Sequence, residues 1–273
     1  MSRPASLPVI EIDVSDVDRC SGALQELYDR TLVAVIVRGV FSTAVMADVV
    51  DRLERGEIEL PRINPPVFKG HVLGRPLVAA DETLTNYLDD AERFRTGCKA
   101  LFGAPVDERV QQVLAGLAGG RPVVVPTAED GRSYLAATIR VLVEGDRLPL
   151  HYENETFKNP VMKRLGPSLD RASLLSYYIP MAMPDGGGEL RIYPIDCLEG
   201  GDSLIHRLGG DDKARPLFEE RGFDVLRPGV GDMLVFDGGR LYHEVTPVRG
   251  RARWTMGGFF APSSDHRRIC FWS

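Results

Sequence analysis

The feature that most constrains this chain is a change of period near residue 121. Before it, apolar residues recur at helical spacing. Residues 16–29 carry Leu24 and Leu27 on one face, 42–55 open on Ser42 as an N-cap and stop near Gly56, and 81–118 read as helix in two pieces parted near Gly103 and Pro105. Two strand-like stretches interrupt them: the alternating run 7–14 and the β-branched run 31–40, which ends at Gly39. Residues 57–80 are rich in Pro and Gly without a period and read as a loop or lid. After 121 the period becomes two. Strands are expected at 123–126, 133–144, 148–153, 173–180, 189–193, 223–226, 232–236, 241–245 and 251–260, with a partly helical insert at 196–220. Short, closely spaced strands favour an antiparallel sandwich or barrel over a parallel sheet. The expected class is α+β with a mainly β core. A mixed, mainly helical region 1–120 would pack on a β core of 121–273 as one structural unit.

A chain of 273 residues can bury a substantial core. Its net charge of −6 argues against nucleic-acid binding, which calls for a basic surface. Arginine outnumbers lysine 28 to 5, which reads mainly as coding bias. Cys20, Cys98, Cys197 and Cys270 form no CxxC pair and read as reduced thiols. The first residues lack an apolar signal core, and no apolar run reaches membrane-spanning length. The expectation is a cytoplasmic protein with a small-molecule substrate and neither nucleic-acid nor membrane partners.

Chemistry concentrates in two places. In His151-Tyr152-Glu153-Asn154, strand alternation turns His151 and Glu153 to one side and Tyr152 to the other. A third donor, His243, follows a Gly-Gly turn far downstream and is expected from a strand across the cavity. Two imidazoles and one carboxylate form the ligand set of mononuclear non-haem iron(II), with positions left open. In Arg251-Ala-Arg253-Trp-Thr255, alternation puts both arginines and the threonine on one face. A guanidinium there could grip a carboxylate through paired hydrogen bonds. The competing reading is a surface strand with solvated arginines.

From about 147 to 262 the chain resembles the iron(II)- and 2-oxoglutarate-dependent dioxygenases, and within them the prolyl-4-hydroxylase-like group. That pattern, His-x-Asp/Glu, a distal His, then Arg about ten residues on, falls on His151, Glu153, His243 and Arg253. His-Tyr-Glu-Asn, Ser-Tyr-Tyr178-Ile-Pro and Gly187-Gly-Glu-Leu-Arg-Ile-Tyr-Pro194 are further matched blocks in the right order. The resemblance implies a double-stranded β-helix (a jelly-roll, cupin-like fold) with supporting N-terminal helices. It implies Fe(II) held by His151, Glu153 and His243, with 2-oxoglutarate and O2 as co-substrates. Arg253, Tyr178 and Thr255 would hold the distal carboxylate; Arg251 is the alternative register.

The glutamate departs from the commoner aspartate. In halogenases of this kind a Gly or Ala replaces the carboxylate and opens room for chloride. Glu153 therefore points to hydroxylation or desaturation of a small polar substrate, such as an amino acid or natural-product intermediate, with succinate and CO2 released. Asn154 and Arg191 are the candidate substrate contacts, followed by Glu155, Lys69, His71 and Arg75. The alternatives are a protein or peptidyl-prolyl hydroxylase, a cupin-like binding protein without turnover, and a zinc hydrolase with Glu155 as base.

Overall fold

The structure, a computed structural model, describes residues 6–165, 169–170, 174–197 and 204–273. Its N-terminal half is built around two strands, Val9–Asp13 (β1) and Ala34–Arg38 (β2), joined through a 3-10 turn and the short helix Ala23–Tyr28 (α1). The expected helix at 16–29 therefore exists only in part, because 3-10 geometry runs to Cys20 and the α-helix starts after Gly22. Ser42 caps Thr43–Glu54 (α2) by accepting from the Val45 N–H. Arg62–Ile63 (β3) and His71–Leu73 (β4) cross the Pro/Gly-rich segment. Thr85–Phe102 (α3) ends at Gly103, whose φ of 72° suits a residue without Cβ, and Pro105 opens Val106–Leu117 (α4).

The remaining strands are Val123–Val124 (β5), Thr138–Leu142 (β6), Leu148–His151 (β7), Leu175–Ala182 (β8), Leu190–Asp196 (β9), Asp224–Leu226 (β10), Met233–Phe236 (β11), Leu241–Val245 (β12), Arg253–Pro262 (β13) and Ile269–Trp272 (β14). The expected start of β8 at Ser173 lies outside the described residues, as do positions 198–203 of the 196–220 insert. The rest of that insert forms Leu204–Leu208 (α5) and Asp211–Arg221 (α6).

Among the described residues the strands make two sheets. The larger runs β1-β2-β11-β8-β13-β6-β4-β3, with β14 and β5 attached to it through β13; the smaller runs β10-β9-β12-β7. From β6 onward the chain passes back and forth between them: β6, β8, β11, β13 and β14 lie in the large sheet, and β7, β9, β10 and β12 in the small one. This is a double-stranded β-helix. Two pairings are parallel in an otherwise antiparallel arrangement. β1 with β2 and β14 with β5 are parallel, since each pair is separated by chain long enough to cross over. The N-terminal strands are also not mere buttress, because β2 hydrogen-bonds directly to β11 of the core.

Alternation sorts the side chains into layers. Val35 and Val37 of β2 join the core that includes residues of α2, α3 and α4, while Ala34 and Ile36 join the cluster between the sheets. On the small sheet, Leu190 and Ile192 of β9 and Val245 of β12 point into that space. Tyr193, Ile195 and Tyr242 point out against Ala214 and Phe218 of α6. Each fully buried aliphatic of this kind contributes about 1.5–3 kcal/mol.

One polar contact ties the helical layer to the mouth of the barrel. The buried Tyr87 hydroxyl on α3 donates to the Ser273 carbonyl at 2.9 Å and accepts from the Leu135 N–H at 2.9 Å. The same carbonyl accepts from Leu77, at the head of the 77–79 turn. Tyr87→Phe leaves the Leu135 N–H buried and unpaired. The expected loss is about 1–3 kcal/mol, read as a lower denaturation midpoint with unchanged slope.

Candidate active site

β7 and β12 are neighbours in the small sheet, and His151 pairs directly with His243. The distal histidine therefore comes from the adjacent strand, not from across the cavity as its sequence position suggested. Their ring centroids are 4.2 Å apart. Each ring is oriented by its own strand. His151 Nδ1 lies 2.7 Å from the Pro149 carbonyl and His243 Nδ1 2.9 Å from the Leu241 carbonyl. A carbonyl only accepts, so Nδ1 carries a proton on both rings, and in the neutral form of each ring the Nε2 lone pair is available to a metal.

Glu153 arrives differently from the expected strand position. β7 ends at His151, and Glu153 opens a 3-10 turn after one extended residue, Tyr152. The turn is held by the corner between β11 and β12. The Gly238 carbonyl accepts from the Glu153 N–H at 2.8 Å, and the Gly239 carbonyl from Asn154 at 3.1 Å. A Cβ at Gly239 would stand 2.0 Å from the Leu174 carbonyl oxygen, so only glycine allows this approach. The carboxylate oxygen Oε1 then lies 3.6 Å from His151 Nε2 and 3.7 Å from His243 Nε2. All three donor atoms fall within 4.8 Å of one another.

Burial alone would raise the Glu153 carboxyl, but hydrogen bonds and charge from the two imidazoles hold it well below the usual carboxylate range. The histidines diverge. Burial works against the His151 proton, yet Glu153 and the Pro149 carbonyl raise it above its ordinary value. Burial and then the neighbouring His151 push His243 down.

The three donors open into a cavity of about 210 Å³ between the sheets. Apolar walls come from Leu148, Leu190, Phe236 and Val245, and the lid side from Val72, Pro76 and Val78. At the other end lies Arg253, 3% exposed, with Nη1 3.3 Å from Thr255 Oγ1 and its guanidinium carbon 5.3 Å from the centre of the Tyr178 ring. Burial lowers the Arg253 pKa, and its Nε has no hydrogen-bond partner. Arg251 instead sits on the surface, paired with Asp185. Of Arg251 and Arg253, the one facing the cavity is thus Arg253.

The other sequence candidates lie elsewhere. Asn154 Oδ1 accepts from the Leu174 N–H, so its side chain braces the corner. Arg191 points to the outer face of the small sheet, over Phe223 and 3.6 Å from Glu244. Alternation on β9 already implied this, since Leu190 and Ile192 face inward. Glu155 pairs with Lys158 at the surface. Lys69 donates its backbone N–H to Asp146, Arg75 pairs with Asp90, and His71 packs edge-on against Trp254. Sequence reasoning missed Thr138, Arg140, Thr156 and Ser176, which line the cavity. Thr138 and Arg140 alternate on β6, the only signal that could have found them.

Residues 7–273 match the sequence model of the carrier-protein-independent halogenase WelO5 family. The chain belongs to that family. No curated protein matches it in sequence. Its fold is shared with an N-substituted L-amino acid dioxygenase from Burkholderia ambifaria AMMD, 15% identical, with a TM-score of 0.56 over 92% of this chain and 91% of that one. That dioxygenase in complex with alpha-KG gives 15% identity and a TM-score of 0.55 over 91% and 90%. A 2OG-Fe(II) oxygenase family oxidoreductase from Burkholderia pseudomallei is 15% identical, at TM-score 0.49 over 97% and 100%.

The WelO5-family protein is an iron(II)- and 2-oxoglutarate-dependent enzyme, and its residues fit both groups. Two Nε2 atoms and a carboxylate match the donors iron(II) takes. A buried guanidinium with an unpartnered N–H calls for an anion, which a dicarboxylate supplies. Among the described residues no helix is long and apolar enough to cross a membrane.

His243→Ala in the WelO5-family protein is expected to weaken Fe(II) or Ni(II) binding by roughly a hundredfold or more in calorimetric titration, with folding unchanged by circular dichroism. Metal must displace the proton that His151 retains above its ordinary range. Affinity should therefore fall as pH drops through and below neutrality, and level off above it.

Proposed function

We propose that this enzyme hydroxylates, or desaturates at, an unactivated C–H bond of a small polar molecule, releasing succinate and CO2. The observation that carries the reading is Glu153, whose carboxylate stands within 4 Å of both imidazole Nε2 atoms. It occupies the place that a halide needs in halogenases with Gly or Ala there. Bound iron with 2-oxoglutarate and O2 supplies the oxidising power for C–H cleavage. The chain's own residues do the rest. His151, Glu153 and His243 hold the metal. Arg253, with Thr255 and Tyr178 beside it, fixes the distal carboxylate of 2-oxoglutarate. Phe236, Leu190 and Val245 exclude water around them.

The amino-acid substrate of the Burkholderia ambifaria dioxygenase supports a small polar substrate here. A second reading, halogenation, is favoured by the family's name. Anaerobic addition of Fe(II) and 2-oxoglutarate should give the visible charge-transfer band of the chelate, and admission of air should give succinate at a rate independent of chloride. Products should gain oxygen or lose two hydrogens. A chlorine isotope pattern in the product would establish the second reading instead.

Arg253→Ala should raise the KM for 2-oxoglutarate roughly ten- to a hundredfold, the cost of about 1.5–3 kcal/mol for a charge-assisted contact. Arg251→Ala, on the surface, should leave it within about twofold.

A further inference from the structure

Arg140 is a second guanidinium in the same cavity that the reading above does not use. Its place follows from register. On the antiparallel pair β6–β13, Arg140 stands opposite Thr255, and Arg253 is two residues from Thr255. Cross-strand partners and alternate residues share a face, so Arg140, Thr255 and Arg253 all face the space between the sheets. The two arginines are diagonal neighbours of like charge, an arrangement that repels. Among the described residues the Arg140 side chain has no hydrogen bond and no carboxylate within ion-pair distance; Glu153 acts on it only through charge. The guanidinium nevertheless sits where burial penalises its charge. Such a group is stabilised by an anion.

That anion differs from the one at Arg253. Arg253 is sealed, whereas Arg140 is only partly buried and lies next to β4, whose Val72 opposes it in register and lines the lid side of the cavity. Charge also separates the two. Iron(II) with Arg140 and Arg253 brings four positive charges, and Glu153 with 2-oxoglutarate brings three negative. Among the lining side chains, one positive charge remains once both groups are bound, and it falls on Arg140, the more exposed of the two arginines. Arg253 would hold the distal carboxylate of 2-oxoglutarate, which leaves Arg140 without a partner from the co-substrate.

We propose that Arg140 receives a carboxylate of the substrate, which makes the substrate an organic acid, with amino acids and their N-substituted derivatives the simplest class. This rests on the reading of the cavity as the iron and 2-oxoglutarate site. The test uses the whole protein loaded anaerobically with Fe(II) and 2-oxoglutarate. Formation of the chelate band comes first; if wild-type protein gives none, the cavity reading fails independently of Arg140. Binding is then measured by calorimetry for benzoate and a set of N-acetyl amino acids, each beside its neutral amide. The acids should bind at least tenfold more tightly than the amides. Arg140→Gln should abolish that preference, and Arg140→Lys should restore part of it. The 2-oxoglutarate titration of the chelate band should stay within twofold in both variants, which also shows that the site remains folded. Acids binding no better than amides to wild-type protein would overturn the proposal. So would an Arg140→Gln variant whose 2-oxoglutarate titration shifts tenfold, since Arg140 would then belong to the co-substrate.

Discussion

The structure depends on one cross-strand contact, His151 against His243 in the small sheet. Register is unforgiving there, because a slip of one residue would turn each imidazole to the opposite face. The outer face guards against it. Tyr242 and Tyr193 pack on Phe218, and the buried Glu244 accepts from the Tyr193 hydroxyl at 2.7 Å and from Arg215 of α6 at 2.6 Å. His243 and Glu244 are consecutive, so the helix that clamps one side of β12 fixes His243 on the other. Burial penalises the Arg215 charge, but Glu244 and then Asp211 overcome that and raise its pKa.

The second support is the corner Asp237-Gly238-Gly239-Arg240, where the chain leaves the large sheet for the small one. Arg240 is buried against Asp237 and also donates to the Leu27 carbonyl at 3.0 Å. α1 thus holds the corner, and the corner's carbonyls hold the turn that carries Glu153. A path of hydrogen bonds runs from the N-terminal region to Glu153. It explains why the helical half cannot be treated as packing alone. The large sheet contributes the opposite wall, with two guanidiniums whose charge burial penalises.

Much of this was legible in the residues. Helical spacing located α2, α3 and α4, since their amphipathic periods are long and their caps, Ser42, Gly103 and Pro105, are strong local signals. Most strands after 121 were legible because alternation survives wherever one face is buried. β14 was missed because it is buried on both faces and shows no alternation. β3 and β4 were hidden in a Pro/Gly-rich segment, and only their pairing with β6 makes them strands. Arg191 looked like a cavity residue from its motif, yet the inward pair Leu190 and Ile192 turns it outward. Arg140 looked ordinary, because a lone arginine in an apolar strand says nothing about what stands opposite it.

The sequence by itself determined the donor groups: two imidazoles, a carboxylate two residues after the first of them, and an Arg-x-Thr strand. Residue type sets donor atoms and charge, and period two sets which of them share a face. Tertiary structure decided which groups meet. Sheet order made His243 the neighbour of His151, the corner brought Glu153 to both, and the register of β6 against β13 set Arg140 beside Arg253. Local spacing carries no information about strand partners, because those contacts join residues far apart in the chain and are chosen by burial of the whole sheet.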